Sequence, residues 1–293
     1  MSLWLAQFLL PSDLREERQN PLLPNAMIKV ATINILYEMK FWQQRRELLV
    51  EGLAAVGADL IGLQETNLQA NTGFWLAEQL DMPYVHLVAA QERSYVLGTE
   101  YGTAILSRHP FIQKAELDLQ SQGRIAQYVQ VKIGDRSLVF CNGHYYCQPG
   151  SSSLRIRQIQ SLINWLSALP PDLPVVVVGD FNATPETPEI AFMREQFTSA
   201  YAAQHGCEPE YTCPTPLLQA HSKFWRPLGL RLINLWTNRT FTPWRGTLDY
   251  IFVNKHLSVC DCQLILTEPA PDRKNIYPSD HFGIAAELEI VQV

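Results

Sequence analysis

Four consecutive valines run into Gly179, Asp180, Phe181 and Asn182, so an apolar stretch ends on a carboxylate and an amide. A β-branched run of this kind reads as a strand buried on both faces. Asp and Asn also serve as turn residues, since their side chains bond the local backbone. The turn reading loses ground because the pattern recurs: KVATIN ends on Asn34, DLIGLQE on Glu65 and SLVFCNGH on His144. Two further segments carry its mirror, with Asp249 opening DYIFV and Asp280 and His281 opening FGIAAELEI.

Glu65, Asp180 and Asp280 are hard oxygen donors, and Asn34 and Asn182 add neutral oxygens or amide donors. Such a set suits Mg²⁺ or Mn²⁺. Zinc would ask for an H-E-x-x-H pattern or a Cys/His cluster, and the chain has neither. His144 and His281 are the natural proton-transfer groups near neutral pH. Ser279, Asp280 and His281 do not make a serine-hydrolase triad, because neighbours on an extended backbone diverge. Asp249 is available to orient His281, or it simply opens its strand.

If these groups face one another, some strands arrive at the site and others leave it. That requires mixed or antiparallel sheets with helices outside, not a doubly wound parallel sheet. No dinucleotide fingerprint or P-loop is present. Apolar spacing predicts a helix over 42–57, with Leu48, Leu49, Leu53 and Val56 on one face, and another over 151–169, with Ile159, Leu162, Ile163, Leu166 and Leu169. The serines before Leu154 are expected to cap the second helix, and Pro170 and Pro171 to end it. A short helix is expected around 187–197.

The 293 residues are 47% hydrophobic and carry a formal net charge of -6, which suits one large core and disfavours coating nucleic acid by bulk electrostatics. Residues 1–26 read as an N-terminal extension packing an amphipathic turn on the body, with membrane-surface contact as the alternative, and 27–293 as one domain. The apolar start is too short for a membrane span. The six cysteines form no C-x-x-C pair, and Cys260 and Cys262 alternate along an apparent strand; reduced thiols and a cytoplasmic protein are expected. In 211–246, prolines, aromatics and cations mix, including Lys223, Phe224, Trp225, Arg226, Arg231, Trp236 and Arg239. Such interleaving could stack bases and hold phosphates, or pack onto the core. Trp244 and Arg245, just before Asp249, are the better substrate candidates.

The segments ATIN, LQET, YGTAILSRHP, NGHYY, VVGDFNATP, GTLDYIF and PSDHFG resemble, in order, the endonuclease/exonuclease/phosphatase superfamily over roughly residues 28 to 290. The resemblance implies an α/β fold, a four-layer α/β/β/α sandwich of two mixed β-sheets. It implies Glu65 as principal Mg²⁺ (or Mn²⁺) ligand, with Asn34 and Asp280 on the metal or its waters. Asp180 would position or activate the attacking water, and Asn182 would hold a phosphate oxygen. His281, oriented by Asp249, would contact the scissile phosphate as base or charged stabiliser, and His144 would bind phosphate or protonate the leaving oxygen. Tyr101 and Arg124 would approach the substrate, Arg124 having a solvated strand-entry charge as its alternative. The implied activity is phosphodiester hydrolysis on DNA, RNA or a nucleotide-like substrate, without an obligate protein partner or stable membrane insertion. Two alternatives stand beside it: a phosphoesterase for a phospholipid or inositol phosphate headgroup, and a binding module that has lost catalysis.

Overall fold

The computed structural model describes residues 26–91, 100–148, 150–217 and 244–291. Two six-stranded sheets face each other. The first contains β1 (Met27–Asn34), β2 (Leu60–Asn67), β3 (Tyr84–Ala89), β4 (Tyr101–Ser107), β11 (Leu257–Ile265) and β12 (Gly283–Ile290), in the order β11-β12-β1-β2-β4-β3. The second contains β5 (Phe111–Asp118), β6 (Ile125–Ile133), β7 (Arg136–His144), β8 (Val175–Asp180), β9 (Thr198–Ser199) and β10 (Asp249–Val253), in the order β5-β6-β7-β8-β10-β9. Helices α1 (Trp42–Val56) and α2 (Thr72–Gln79) contribute to the outer layer of the first sheet, and α3 (Ser153–Ser167) and α4 (Pro188–Gln196) to that of the second. A short α5 (Ala200–His205) contacts β11 and β10. These are the mixed sheets and outer helices expected.

Alternation along the strands builds the layers. In β8, Val176 and Val178 point into the core between the sheets, while Val175 and Val177 point to the helix side with Ile159, Leu162 and Leu166 of α3. In β1, Ile28 and Val30 join the central core, and Ala31 and Ile33 meet Trp42, Leu49 and Leu53 of α1. Burying a valine on either face stabilises by about 1.5–3 kcal/mol relative to exposure, so central strands carry no polar face to spend on solvent. The exception is a polar tie between the sheets: Gln64 Nε2 donates to Asn142 Oδ1 (2.6 Å), and Asn142 Nδ2 donates to Leu63 O and Ala104 O (both 3.0 Å).

Some local expectations shift. Ser152 is the N-cap of α3, but its side chain accepts no capping bond; its backbone N–H donates to Glu189 Oε1 instead (2.7 Å). Leu48 leaves the α1 stripe to pack beside Leu36, Leu217 and Ile276. Cys260 is exposed and Cys262 buried because a bulge between Val259 and Asp261 breaks the pleat. Among the described residues, no helix is long and apolar enough to cross a membrane. The expected extension, apart from Ala26, and residues 218–243 with Lys223, Phe224, Trp225, Arg226, Arg231, Trp236 and Arg239, lie outside the described residues.

Candidate active site

One end of the sandwich collects the polar strand ends. In the second sheet the register places His144 of β7 beside Asp180 of β8, and Asp180 beside Asp249 of β10, so three chemically capable residues share one cross-strand row. In the first sheet, β1 and β2 run parallel, and their pairing ends with Asn34 beside Gln64, one residue before Glu65. Pairing of β2 with β4 slips between Leu63 and Thr66, and Glu65 adopts φ 57°. This bulge re-aims the Glu65 side chain out of the ladder toward the second sheet; a non-glycine residue held at positive φ is strain that its surroundings must over-determine.

Asn34 joins the two sheets at this end. Its Nδ2 donates to Glu65 Oε1 (3.2 Å) and to Asp180 Oδ2 (3.1 Å), and its Oδ1 accepts from the Leu36 amide (3.1 Å). The Tyr37 amide donates to Glu65 Oε2 (3.3 Å). Burial first, and then the nearby charge of Asp280, raise the pKa of Glu65. A buried carboxylate on the β2 bulge with a second carboxylate, Asp280, near it forms a donor set that fits a hard divalent cation. Ser279 Oγ donates to Asn34 O (2.6 Å) and to Asp280 Oδ1 (3.2 Å), so no hydrolase triad forms with His281.

His281 Nδ1 lies 2.8 Å from Asp249 Oδ2, which also accepts from Thr212 Oγ1 at 2.6 Å. Burial opposes protonation of His281, but Asp249 and the adjacent Cys213 outweigh it and hold the imidazole well above its ordinary range. His281 Nε2 points back to Asp180 Oδ2 at 3.9 Å. Burial, with the facing Asp249 adding to it, pushes Asp180 up to about 7 even though His281 opposes the shift. Ligand atoms of Asp180, Asp249 and His281 all lie within 4.8 Å of one another.

The two histidines differ. His144 is buried with Arg124 Nη1 2.6 Å from Nδ1 and 2.8 Å from Nε2, and its Nε2 lies 3.4 Å from Asp180 Oδ2. Burial, then Arg124 and His281, hold His144 well below the ordinary imidazole range, so its ring is neutral. Arg124 also lies over the Tyr101 ring at 5.8 Å. Asn182, at φ 50°, donates its backbone N–H to Asp180 Oδ1 (2.9 Å) and one Nδ2 hydrogen to Tyr145 O (3.1 Å). Trp244 is 59% exposed, its ring close to Gly246, and Arg245 stacks on Tyr211 at 4.5 Å.

Sequence reading missed Thr212, which nothing in YTCPTP distinguishes, and Arg45, which something does. Arg45 falls on the same helical stripe as Leu49 and Leu53, while Arg46 does not. A cation on an apolar stripe signals a buried guanidinium.

A profile of the endonuclease/exonuclease/phosphatase family matches residues 31–281. Nocturnin of Homo sapiens is 27% identical over 279 residues, covering 86% of this chain and 59% of that protein. The fold is similar to the human Nocturnin catalytic domain with bound sulfate anion (TM-score 0.70, 21% identity, 92% of this chain and 95% of that one). It is also similar to D. rerio TDP2 complexed with single strand DNA product (TM-score 0.67, 18% identity, 89% and 98%). The chain spans about three-fifths of the length of the Nocturnins it matches.

Proposed function

This chain belongs to the endonuclease/exonuclease/phosphatase family, and on that premise we propose that it is a divalent-metal-dependent phosphodiester hydrolase acting on nucleic acid or a nucleotide-like substrate. The observation that carries the reading is the single row of His144, Asp180 and Asp249, with His281 turned onto it from the bend before β12 and Glu65 from β2.

Glu65, with Asn34 and Asp280, would hold Mg²⁺ or Mn²⁺. Such an ion neutralises charge on phosphoryl oxygens when bound. A second position at Asp180, Asp249 and His281 would compete with the His281–Asp249 hydrogen bond. Asp180, titrating near neutrality, takes the proton of the attacking water. His281, kept cationic by Asp249, donates from Nε2 to a phosphoryl or leaving oxygen. A neutral His144 keeps one ring N–H but is a poor general acid, so it binds a phosphate oxygen through that N–H beside Arg124, and the remaining Asn182 N–H does the same.

Sulfate in the Nocturnin catalytic domain and single-stranded DNA product in TDP2 support a site for a tetrahedral anion on a nucleic-acid strand. Exposed Trp244 and the Arg245–Tyr211 stack favour a nucleoside neighbour, together with Tyr101, over an inositide pocket. Six cysteines without a disulfide support a reducing, cytoplasmic setting.

The test is Mg²⁺- or Mn²⁺-dependent release from bis-p-nitrophenyl phosphate, followed by single-stranded DNA, RNA, sphingomyelin and inositol phosphates. Glu65→Ala and His281→Ala are each expected to lower turnover at least about 100-fold while folding normally. Wild-type turnover in either would remove the assigned role, and selective cleavage of inositol phosphates would overturn the substrate class.

A further inference from the structure

Arg45 is completely buried on α1, yet it touches no residue assigned a chemical role. Its guanidinium donates to Ile35 O (2.9 Å), Leu36 O (3.3 Å), Glu38 O (2.5 Å) and Lys40 O (3.1 Å), and across 233 residues to Pro278 O (3.2 Å). Five N–H donors in a rigid fork let one side chain satisfy carbonyls from two segments at once. The first segment supplies the Leu36 amide to Asn34 and the Tyr37 amide to Glu65; the second leads through Ser279, which bonds Asn34 O, into Asp280. Burial brings Arg45 down to about 10, with Asp280, Glu38 and Glu65 resisting, so it remains a cation at neutral pH.

A second buried arginine provides the contrast. Arg155 on α3 donates to Tyr146 O and Gln148 O (both 3.0 Å) and to Gly150 O, tying down the segment after His144, and is paired with buried Glu189 at 3.1 Å. Arg155 serves the phosphate-binding side and carries its own counter-charge. Arg45 serves the Glu65 and Asp280 side, where its charge bears on the carboxylates themselves.

We propose that Arg45 is the positioning residue of the cation end of the site: by locking residues 35–40 against 278–280 it fixes the separation of Glu65 and Asp280 and so sets divalent-cation affinity. This rests on the metal-dependent reading above. Outer residues that hold metal ligands in place typically account for about 10–100-fold in affinity.

The experiment compares the full chain with Arg45→Gln, Arg45→Lys, Arg155→Lys and Glu65→Gln, using circular dichroism for folding, Mn²⁺ calorimetry for affinity and amide hydrogen exchange at Leu36 and Tyr37. Arg45→Gln is expected to weaken Mn²⁺ by about tenfold or more and to accelerate exchange at both amides, with Arg45→Lys between it and the wild type and Arg155→Lys within about twofold of wild type. A folded Arg45→Gln with native affinity and protection overturns the proposal, as does an equal loss in Arg155→Lys. Should Arg45→Gln fail to fold, the lysine variant decides, because one ammonium cannot span both segments; native affinity there overturns the proposal. Glu65→Gln that binds Mn²⁺ normally would sink the metal reading instead, and the exchange measurement would still judge the lock.

Discussion

Asp249 sets the protonation of two partners at once. Its carboxylate faces Asp180 across the β8–β10 ladder and bonds His281 at 2.8 Å. Burial and then Asp249 raise Asp180 to about 7, so the carboxylate proposed to activate water is protonated at low pH and turnover is expected to climb as pH rises through about 7. His281, raised well above its ordinary range against the cost of burial, loses its proton only at higher pH, and turnover falls there. A bell-shaped kcat/KM profile is expected. Asp249→Asn removes the group that raises both, so both limbs of the residual activity should move to lower pH. A profile that keeps its limbs in place, measured at saturating Mn²⁺, would contradict this coupling. Thr212, bonded to the same Oδ2, holds the carboxylate toward His281.

Strands and helices repeat one device in both halves. Each sheet has the same succession of pairings, with a single parallel pair flanked by antiparallel strands: β1 with β2 in one, β7 with β8 in the other. A parallel pair needs a crossover, supplied by α1 and α3, and both strands of a parallel pair end on the same side. Asn34 beside Gln64 therefore stands to the first sheet as His144 beside Asp180 stands to the second, with Glu65 one residue further on the bulge, and Arg45 and Arg155 clamp the corresponding segments. The second pair is drawn close by glycine. Gly143 and Gly179 are registered opposite each other, Gly179 has φ 141°, and a Cβ on it would lie 2.0 Å from Gly143 O. Gly179→Ala combines a forbidden backbone angle with a main-chain clash and should cost about 3 kcal/mol or more. Urea unfolding measures this, and a change within about 0.5 kcal/mol would show that the strands can separate without penalty.

At the scale of the molecule, a net charge of -6 means that the nucleic-acid affinity proposed above would come from local cations rather than from the surface field. If Arg245 meets a phosphate, Arg245→Ala should flatten the slope of log affinity for a single-stranded oligonucleotide against log salt by about 0.7; an unchanged slope would remove Arg245 from the interface. Much of the site was legible in the order of residues because apolar runs that stop on Asn34, Glu65, His144 and Asp180 mark where buried strands emerge, and polarity along a chain is local. The sandwich and the family were legible for the same reason, carried by motifs that span strand ends. Less local elements were not: α2 and the mostly exposed β5 lack a long apolar stripe or run. Cys260 and Cys262, two residues apart, would share one face of a regular pleat, but a bulge leaves the first exposed and the second buried. Sequence by itself determined which side chains could do chemistry and roughly where each strand ends. Only the tertiary structure decided that Asp180 stands against Asp249, that His281 is cationic and His144 neutral, and that Arg45 is buried, because register and burial arise between segments 32 to 233 residues apart, where nothing in the neighbouring residues encodes the distance or the local dielectric.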